Sequence, residues 1–324
     1  MQMTRQFSDV KKFVFKLILL ACVLIIADFF LGKTLKHYYF KINSGPLYDI
    51  TFVVDSTNAE TLVFGSSRAS HHYVPKVFEN QLHTTFYNCG RDVTGLIYEA
   101  AMVKAVTARY KPKRILLDIL PLEFSSDESD RLSDLLPYQD NPAIYPYILD
   151  KSPYEKIKLL SYSYPYNSLV SSIIIRNLKK NEKSEGTEGY LELDGTMDNV
   201  KPPILYEESK IIPRKIEIYK DLLEYLNKLD IPTYIIISPF YTPLATNKSE
   251  EIASNLCREY KNIHFVSFIK RTDYLKDYKL FKDFPHLNNT GAIKFSNEMC
   301  DYISATEQNS NISPSTNPKL IQAK

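Results

Sequence analysis

Short apolar runs alternate along this chain with segments of helical spacing, and this alternation restricts the fold more than any other feature. A run nearly free of polar residues is typical of a strand covered on both faces, as in the parallel sheets of α/β proteins. The predicted strands are residues 61–65, 85–89, 114–120, 233–238 and 264–268. Their order with the intervening helical patterns predicts an α/β fold, a three-layer α/β/α sandwich with right-handed crossovers.

A further apolar segment, residues 13–31, has about the length of roughly 20 residues that a helix needs to cross a bilayer. Lys16 near its start can extend its ammonium group to the interface, and Asp28 lies close to its far end. We expect residues 1–36 to form a cytoplasmic stub and an uncleaved transmembrane anchor. A cleaved signal peptide and a lipid-modified Cys22 are the alternatives, although no small-residue cleavage site follows and the run continues past Cys22.

The rest of the chain divides by composition. Residues 37–58 are aromatic and mixed, and we expect them to be a juxtamembrane segment. The main domain is predicted over residues 59–303, with an insertion at about 121–203 that is mostly helix and loop and would shape substrate access. Residues 304–324 are rich in Ser, Asn, Thr, Pro and Gln, which predicts a disordered tail.

The charge balance gives no electrostatic reason to propose nucleic acid as a partner. Lys and Arg number 40 against 38 Asp and Glu, for a net charge of +2. The cysteines form no CxxC pair and no metal-ligand spacing; they are Cys22, Cys89, Cys257 and Cys300. We therefore expect no bound metal and no cofactor.

The first candidate functional motif, Gly65-Ser66-Ser67-Arg68, follows the first predicted strand. Glycine lets the backbone turn sharply, and a serine at the following helix start lies at the carboxyl end of the sheet, where open α/β folds build their sites. Ser67 is therefore a candidate nucleophile. The alternative is structural, because Ser is a favoured N-cap and either serine could simply cap the next helix.

The second candidate motif contains Asp283 and His286, three residues apart near the far end of the domain. An Asp can accept a hydrogen bond from one imidazole nitrogen while the other nitrogen faces a serine. With Ser67, these residues supply the side chains of a Ser-His-Asp triad. His71 and His72 could instead line the pocket or act as the base, but no acid at a similar short spacing supports them.

Together these motifs resemble those of the SGNH (GDSL-type) hydrolases, over roughly residues 61–303 without the insertion. The resemblance implies a flavodoxin-like sheet, Ser67 as nucleophile, and Asp283 and His286 as the rest of the triad. It also implies an oxyanion hole made by the backbone N–H groups of Ser67 and Gly90. Asn88-Cys89-Gly90, after the second strand, is similar to the family block that supplies this glycine.

One block departs from the family pattern, which places an Asn after the third strand as an oxyanion donor. Here that strand holds Asp118, and no Asn follows it in residues 119–124. A carboxylate cannot donate, and losing one such donor costs on the order of 10²–10³ in rate in a well-studied protease. Backbone N–H groups could suffice, or Asn88 or Arg68 could substitute; Arg68 could otherwise hold an anionic substrate group or form a salt bridge.

The resemblance and the anchor imply a membrane-anchored, extracytoplasmic serine esterase or O-acyltransferase. It would transfer an acyl group, expected to be acetyl, of a cell-surface polysaccharide through an acyl-enzyme. The membrane and the surface glycan would then be its partners. The alternatives are a non-catalytic glycan-binding or assembly protein that keeps the fold, and a membrane-proximal scaffold that binds a protein through the Tyr-rich insertion.

Overall fold

The computed structural model describes residues 2–125, 131–179, 187–199, 201–202, 210–244 and 246–312. Its described residues fall into two compact units. The anchor unit draws on Met1–Ser56, Ala101–Arg109 and Asp130–Ser184. The sheet unit draws on Thr57–Ala100, Tyr110–Ser129 and Glu185–Lys324. The predicted domain boundaries, including the insertion at about 121–203, stay a prediction.

In the described part of the chain, five parallel strands form one sheet in the order β2-β1-β3-β4-β5. The strands are β1 (Thr61–Gly65), β2 (Phe86–Asn88), β3 (Arg114–Asp118), β4 (Thr233–Ile237) and β5 (Ile263–Ser267). Each lies within two residues of its predicted position. The predicted α/β class is confirmed, and the strand order is that of flavodoxin-like folds.

The α-helices are α1 (Gln2–Tyr39), α2 (Pro46–Asp55), α3 (Ser67–His72), α4 (Pro75–Leu82), α5 (Leu96–Thr107), α6 (Tyr145–Ile148), α7 (Glu155–Lys158), α8 (Val170–Leu178), α9 (Pro213–Lys228), α10 (Lys248–Cys257), α11 (Thr272–Leu275) and α12 (Asn289–Ile312). Short 3-10 helices are Leu132–Tyr138, Leu149–Lys151, Tyr164–Leu169 and Tyr278–Leu280.

The central strands β1, β3 and β4 are buried on both faces, as their apolar runs predict, whereas most of the edge strand β5 is half-buried. Val63, Leu116 and Tyr234 point to one face and join a core that includes Phe78 of α4 and Phe295 of α12. Side chains alternate along a strand, so the intervening residues point to the opposite face, where they too are buried. They are Leu62, Phe64, Ile115, Leu117, Ile235 and Ile237.

The register brings the polar ends of three strands together at the carboxyl edge of the sheet. Gly65 at the end of β1 is paired with Asp118 at the end of β3. Ser238 follows β4 directly, and its backbone N–H donates to the Asp118 carboxylate at 3.4 Å. Ser67 begins α3 two residues after β1. Sites on open parallel sheets form at this edge.

The anchor unit is helical in its described residues. α1 contains a 31-residue stretch, Asp9–Tyr39, that is long and apolar enough to cross a membrane, and its most apolar part is not buried against the protein. Tyr39 at the end of α1 packs its ring 6.0 Å from that of Tyr138 and 5.8 Å from that of Tyr166. The aromatic residues of the 3-10 helices therefore pack around the end of α1.

Two details differ from the sequence expectations. Part of the expected juxtamembrane segment forms α2, because Pro46 supplies a favoured first helical residue. The last helix continues nine residues past the predicted end at 303, to Ile312. Glu307 in its final turns accepts a hydrogen bond from the Arg114 guanidinium of β3 at 2.9 Å. The polar composition of this segment does not predict such a long-range contact. Residues 313–324 of the predicted tail lie outside the described residues.

Candidate active site

Ser67 is presented by a sharp turn between β1 and α3. A Cβ on Gly65 would lie 2.7 Å from the Asp118 carbonyl oxygen and 2.8 Å from the Ala69 Cβ, so only glycine fits this turn. Ser66 is the N-cap, and its hydroxyl accepts from the Arg68 backbone N–H at 3.5 Å. The capping role therefore falls to Ser66, which leaves the hydroxyl of Ser67 available for chemistry.

The structure brings Ser67, His286 and Asp283 into one hydrogen-bonded series. The His286 Nδ1 lies 2.8 Å from Asp283 Oδ1 and 3.1 Å from Oδ2. The carboxylate can only accept, so Nδ1 carries the proton and Nε2 is left as an acceptor. The Ser67 hydroxyl lies 2.8 Å from this Nε2. This is the hydrogen-bonding order of a nucleophile, a base and an orienting acid.

The loop that carries His286 is fixed by its own backbone and by one amide side chain. Asp283 Oδ1 also accepts from the His286 backbone N–H at 2.9 Å. The Asn288 side chain donates to the carbonyls of Lys279 and Gly195, each at 2.8 Å, and accepts from the Gly291 N–H at 3.0 Å. Hydrogen bonds within the Asp-x-x-His motif, and from Asn288 to the start of α12, therefore hold this loop in place.

The triad is open to solvent on its acid side. The Asp283 side chain is 52% exposed and that of His286 is 20% exposed. Water screens the interaction between these two groups, so the carboxylate orients the imidazole chiefly through hydrogen-bond geometry.

A buried polar network lies beside the triad, formed by Arg68, His72, Tyr73, Asp118 and Ser238. The Tyr73 hydroxyl donates to Asp118 at 2.9 Å, and the Arg68 guanidinium lies 3.7 Å from the same carboxylate. Arg68 also donates to the Ser238 hydroxyl at 2.7 Å. Burial raises the pKa of Asp118, and the Arg68 charge opposes that shift.

His72 joins this network to the His286 loop. Its Nε2 accepts from the Leu287 backbone N–H at 3.0 Å, so its proton is on Nδ1, which donates to the Ser238 hydroxyl at 2.8 Å. Burial, and then the nearby Arg68 charge, hold the pKa of His72 well below its usual value. His72 is therefore a neutral imidazole inside the protein. It positions the residue next to His286 and does not reach the Ser67 hydroxyl with either ring nitrogen.

Arg68 does not lie where a substrate contact requires it. Only 2% of it is exposed, and its guanidinium is engaged with Ser238 and Asp118 inside the sheet unit. This position fits the salt bridge that was the alternative to a substrate contact for Arg68. A buried guanidinium needs an opposite charge nearby, and Asp118 supplies it.

Asn88 and Gly90 are engaged with each other. The Asn88 amide donates to the carbonyls of Ala69 at 2.7 Å and Tyr73 at 3.2 Å, and its oxygen accepts from the Gly90 N–H at 2.9 Å. Gly90 packs so closely on α3 that a Cβ would lie 2.3 Å from the Ser70 nitrogen. An oxyanion role for Gly90 stays a prediction, and it requires this N–H to leave the Asn88 oxygen.

His71 lines the site beside His286. Their ring centroids are 5.3 Å apart in an edge-to-face arrangement. The His71 Nδ1–H donates to the Leu191 carbonyl at 2.7 Å, which turns Nε2 toward Asp92, 3.7 Å away. Burial lowers the pKa of His71. The sequence suggests His71 and His72 as pocket residues or alternative bases, and their separate partners, Leu191 and Ser238, could not be read from spacing.

Comparisons with known proteins give limited similarity. No protein-family model matches the chain, and no curated protein matches it. A solved structure described as a platelet activating factor from Streptococcus pneumonia is 12% identical with a TM-score of 0.39, over 87% of this chain and 99% of that one. A two-domain esterase active on acetylated mannans is 12% identical with a TM-score of 0.41, over 86% of this chain and 58% of that one. At these values neither similarity identifies what this chain does.

Proposed function

We propose that this protein is a serine ester hydrolase or acyltransferase with Ser67 as nucleophile, His286 as general base and Asp283 as orienting acid. The observation that carries the proposal is the series Ser67 Oγ to His286 Nε2 at 2.8 Å and His286 Nδ1 to Asp283 at 2.8 Å. Ser67 and His286 are 219 residues apart in sequence, so it is the fold that brings their side chains together.

The geometry supports a two-step acyl transfer. His286 Nε2 takes the hydroxyl proton while Ser67 Oγ bonds to the ester carbonyl carbon, and the protonated imidazole then returns that proton to the leaving alcohol. Asp283 stabilises the imidazolium that forms in between. Water would release the acyl group as an acid, whereas a sugar hydroxyl would receive it as a new ester. The Ser67 backbone N–H, at the first helical position, is available to the oxyanion because the first N–H groups of a helix lack intrahelical acceptors.

The finer assignment follows from α1. A helix long and apolar enough to span a membrane precedes the sheet unit in the chain, and its presence supports a membrane-anchored enzyme with its site outside the cytoplasm. We propose O-acyl groups of a surface polysaccharide, expected to be acetyl groups, as the substrate.

A second candidate function is glycan binding without turnover. It is favoured by the Gly90 N–H, which already donates to Asn88, and by the buried Asp118 at the end of β3, where the SGNH pattern has an Asn nearby. A site with a weak oxyanion hole loses most of the stabilisation of the transition state, so it could bind an ester without productive turnover.

Covalent labelling of the detergent-solubilised full chain with a fluorophosphonate tests the first function. We expect an adduct at Ser67 by mass spectrometry, absent in Ser67→Ala and strongly reduced in His286→Ala. Ser70→Ala is the matched control, because this serine lies in the same helix and its hydroxyl has no hydrogen-bond partner in the described part of the chain. Absence of labelling in a folded wild-type protein would support glycan binding instead.

A further inference from the structure

Asp28 is an acidic residue within the apolar residues 13–31. With a helical rise of about 1.5 Å per residue, it lies about 22 Å along α1 from the start of that run and about 5 Å from its end. The hydrocarbon core of a bilayer is about 30 Å thick. Asp28 therefore falls near the boundary of that core, on the side where α1 leaves it, and a carboxylate there is costly unless it is hydrogen-bonded.

The hydrogen bonds to Asp28 come from one short segment of the anchor unit. Its carboxylate accepts from the Ser161 hydroxyl at 2.8 Å, from the Tyr162 backbone N–H at 2.7 Å, and from the backbone N–H of Ser163 at 3.2 Å as well as the Ser163 hydroxyl. Two hydroxyls and two backbone N–H groups thus surround a carboxylate that would otherwise face lipid.

The backbone of the same segment packs directly against Gly32 of α1. A Cβ on Gly32, one turn after Asp28, would lie 2.3 Å from the Tyr162 carbonyl group. The ring of Tyr162 lies 4.9 Å from that of Phe29. Residues 161–163 are therefore fixed against α1 at the depth where the apolar run ends.

Among the described residues, large apolar side chains on both sides of this contact are exposed. Leu160 is 77% exposed and Tyr154 68% exposed, although α7 between them buries Glu155 completely. On α8, Ile174, Ile175 and Leu178 are exposed at helical spacing, whereas Ile173 on the opposite side is buried. We define the apolar collar as the exposed residues Tyr154, Ile157, Leu160, Tyr162, Ile174, Ile175 and Leu178.

The collar meets α1 at two levels, near Asp28 through Tyr162 and near the end of α1 through α8. It begins at the level of Asp28, and the Asn177 amide of α8 donates to the Tyr38 carbonyl near the end of α1 at 2.9 Å. Exposed lysines accompany it, namely Lys156, Lys179, Lys33 and Lys41. Tyrosine side chains and lysines are the residues that suit the headgroup layer, the lysines where lipids are anionic.

We infer that the apolar collar is a second membrane-binding surface that lies in the headgroup and outer acyl region, fastened to the anchor helix through Asp28. The inference rests on the membrane anchoring included in the proposed function. The partner is the lipid bilayer, because the collar begins at the depth where α1 itself leaves the hydrocarbon core. It would keep the anchor unit on the membrane surface.

Nitroxide labels on the full chain in nanodiscs with anionic lipid test this inference. Cys22→Ala removes the exposed cysteine, since the other three are buried, and single cysteines then replace Leu160, Leu178, Leu20 on α1, and the exposed Lys261 of the sheet unit. Relaxation of each label is measured with oxygen, which concentrates in lipid, and with a water-soluble nickel chelate. We expect oxygen to relax the labels at 160 and 178 more than the label at 261 but less than the label at 20, and nickel to relax the label at 261 most.

Each other outcome overturns the collar in a distinct way. Nickel relaxation at 160 and 178 with oxygen relaxation at 20 would leave the anchor intact and place the collar in water. Protection from both reagents at 160 and 178 would mean that a protein surface covers it. Nickel relaxation at 20 as well would overturn the anchoring itself, while fluorophosphonate labelling of Ser67 would still report separately on the catalytic proposal.

Discussion

His72 makes two hydrogen bonds that together set the position of the loop that carries His286. Its Nε2 accepts from the residue after His286, and its Nδ1 donates to Ser238 at the end of the central strands. A shift of this ring therefore moves the backbone beside His286 relative to the sheet. The Ser67 hydroxyl is hydrogen-bonded to His286 and not to His72. We therefore expect His72 to position the His286 loop without contacting the reacting atoms.

Replacing His72 with Ala is expected to lower stability by about 1–3 kcal/mol, because buried partners lose their hydrogen bonds. It should also lower kcat on an aryl ester with little change in KM, since this ring is fully buried. His72→Gln should restore part of kcat, because its amide oxygen can accept from the Leu287 N–H. Thermal unfolding and steady-state kinetics measure both effects. Wild-type kcat in a folded His72→Ala protein would contradict the positioning role.

Asp283→Asn is expected to lower kcat on the order of 10²–10⁴, because an amide that donates to Nδ1 would favour the wrong imidazole tautomer. Stability should change little, since the carboxylate is half exposed. The matched control is Asp277→Asn, because Asp277 caps the nearby 3-10 helix and Asn also caps helix ends. Equal kcat in the two variants would exclude Asp283 as the orienting acid.

At the scale of elements, α3 packs closely against Gly90 in the loop after β2. Gly90→Ala would bring a Cβ to 2.3 Å from the Ser70 nitrogen and 2.7 Å from the Ala69 carbonyl carbon. We expect a loss of about 1–3 kcal/mol from overpacking and slower fluorophosphonate labelling, because α3 carries Ser67. Cys89→Ala, at the adjacent position, removes volume without a clash and should label normally. A Gly90→Ala protein with unchanged labelling and melting temperature would show that α3 can move freely.

The elements that sequence predicts well are those whose pattern is local. The strands and α4 are identified by apolar runs and by Pro75, and the pairing of Asp283 with His286 follows from their spacing. What sequence leaves open depends on long-range contacts: the end of α12 needs Arg114, and the choice between a substrate contact and a salt bridge for Arg68 depends on Asp118 and Ser238. No local pattern of composition encodes a partner that lies 170 residues away, as Ser238 does from Arg68.

For the whole molecule, buried neutral histidines link stability to pH. The pKa of His72 lies well below its ordinary value of 6.5, chiefly because of burial. Below about pH 6.5, His72 is protonated in the unfolded chain but stays neutral in the folded chain. The free energy of unfolding therefore falls as the pH falls toward the folded pKa. Thermal unfolding of the full chain between pH 7 and pH 5 should therefore show a decreasing melting temperature.

His72→Gln provides the control for this pH dependence. The variant should lose less stability between pH 7 and pH 5 than the wild type, and His71, whose pKa burial also lowers, accounts for part of the remainder. The carboxylate of Asp273, whose pKa is lowered by its Arg271 and Lys294 hydrogen bonds against the effect of burial, contributes only at more acidic pH. Parallel profiles for the variant and the wild type would show that His72 does not drive the acid sensitivity.

The separation of Ser67 and His286 by 219 residues has a consequence for synthesis of the protein. During translation, β1 and the serine leave the ribosome long before the histidine loop exists, and domains form in N-to-C order. Ser67 of a nascent chain therefore lacks His286 until β4, β5 and the start of α12 have been made and docked. Under the proposed function, the onset of fluorophosphonate labelling at Ser67 would mark the completion of folding.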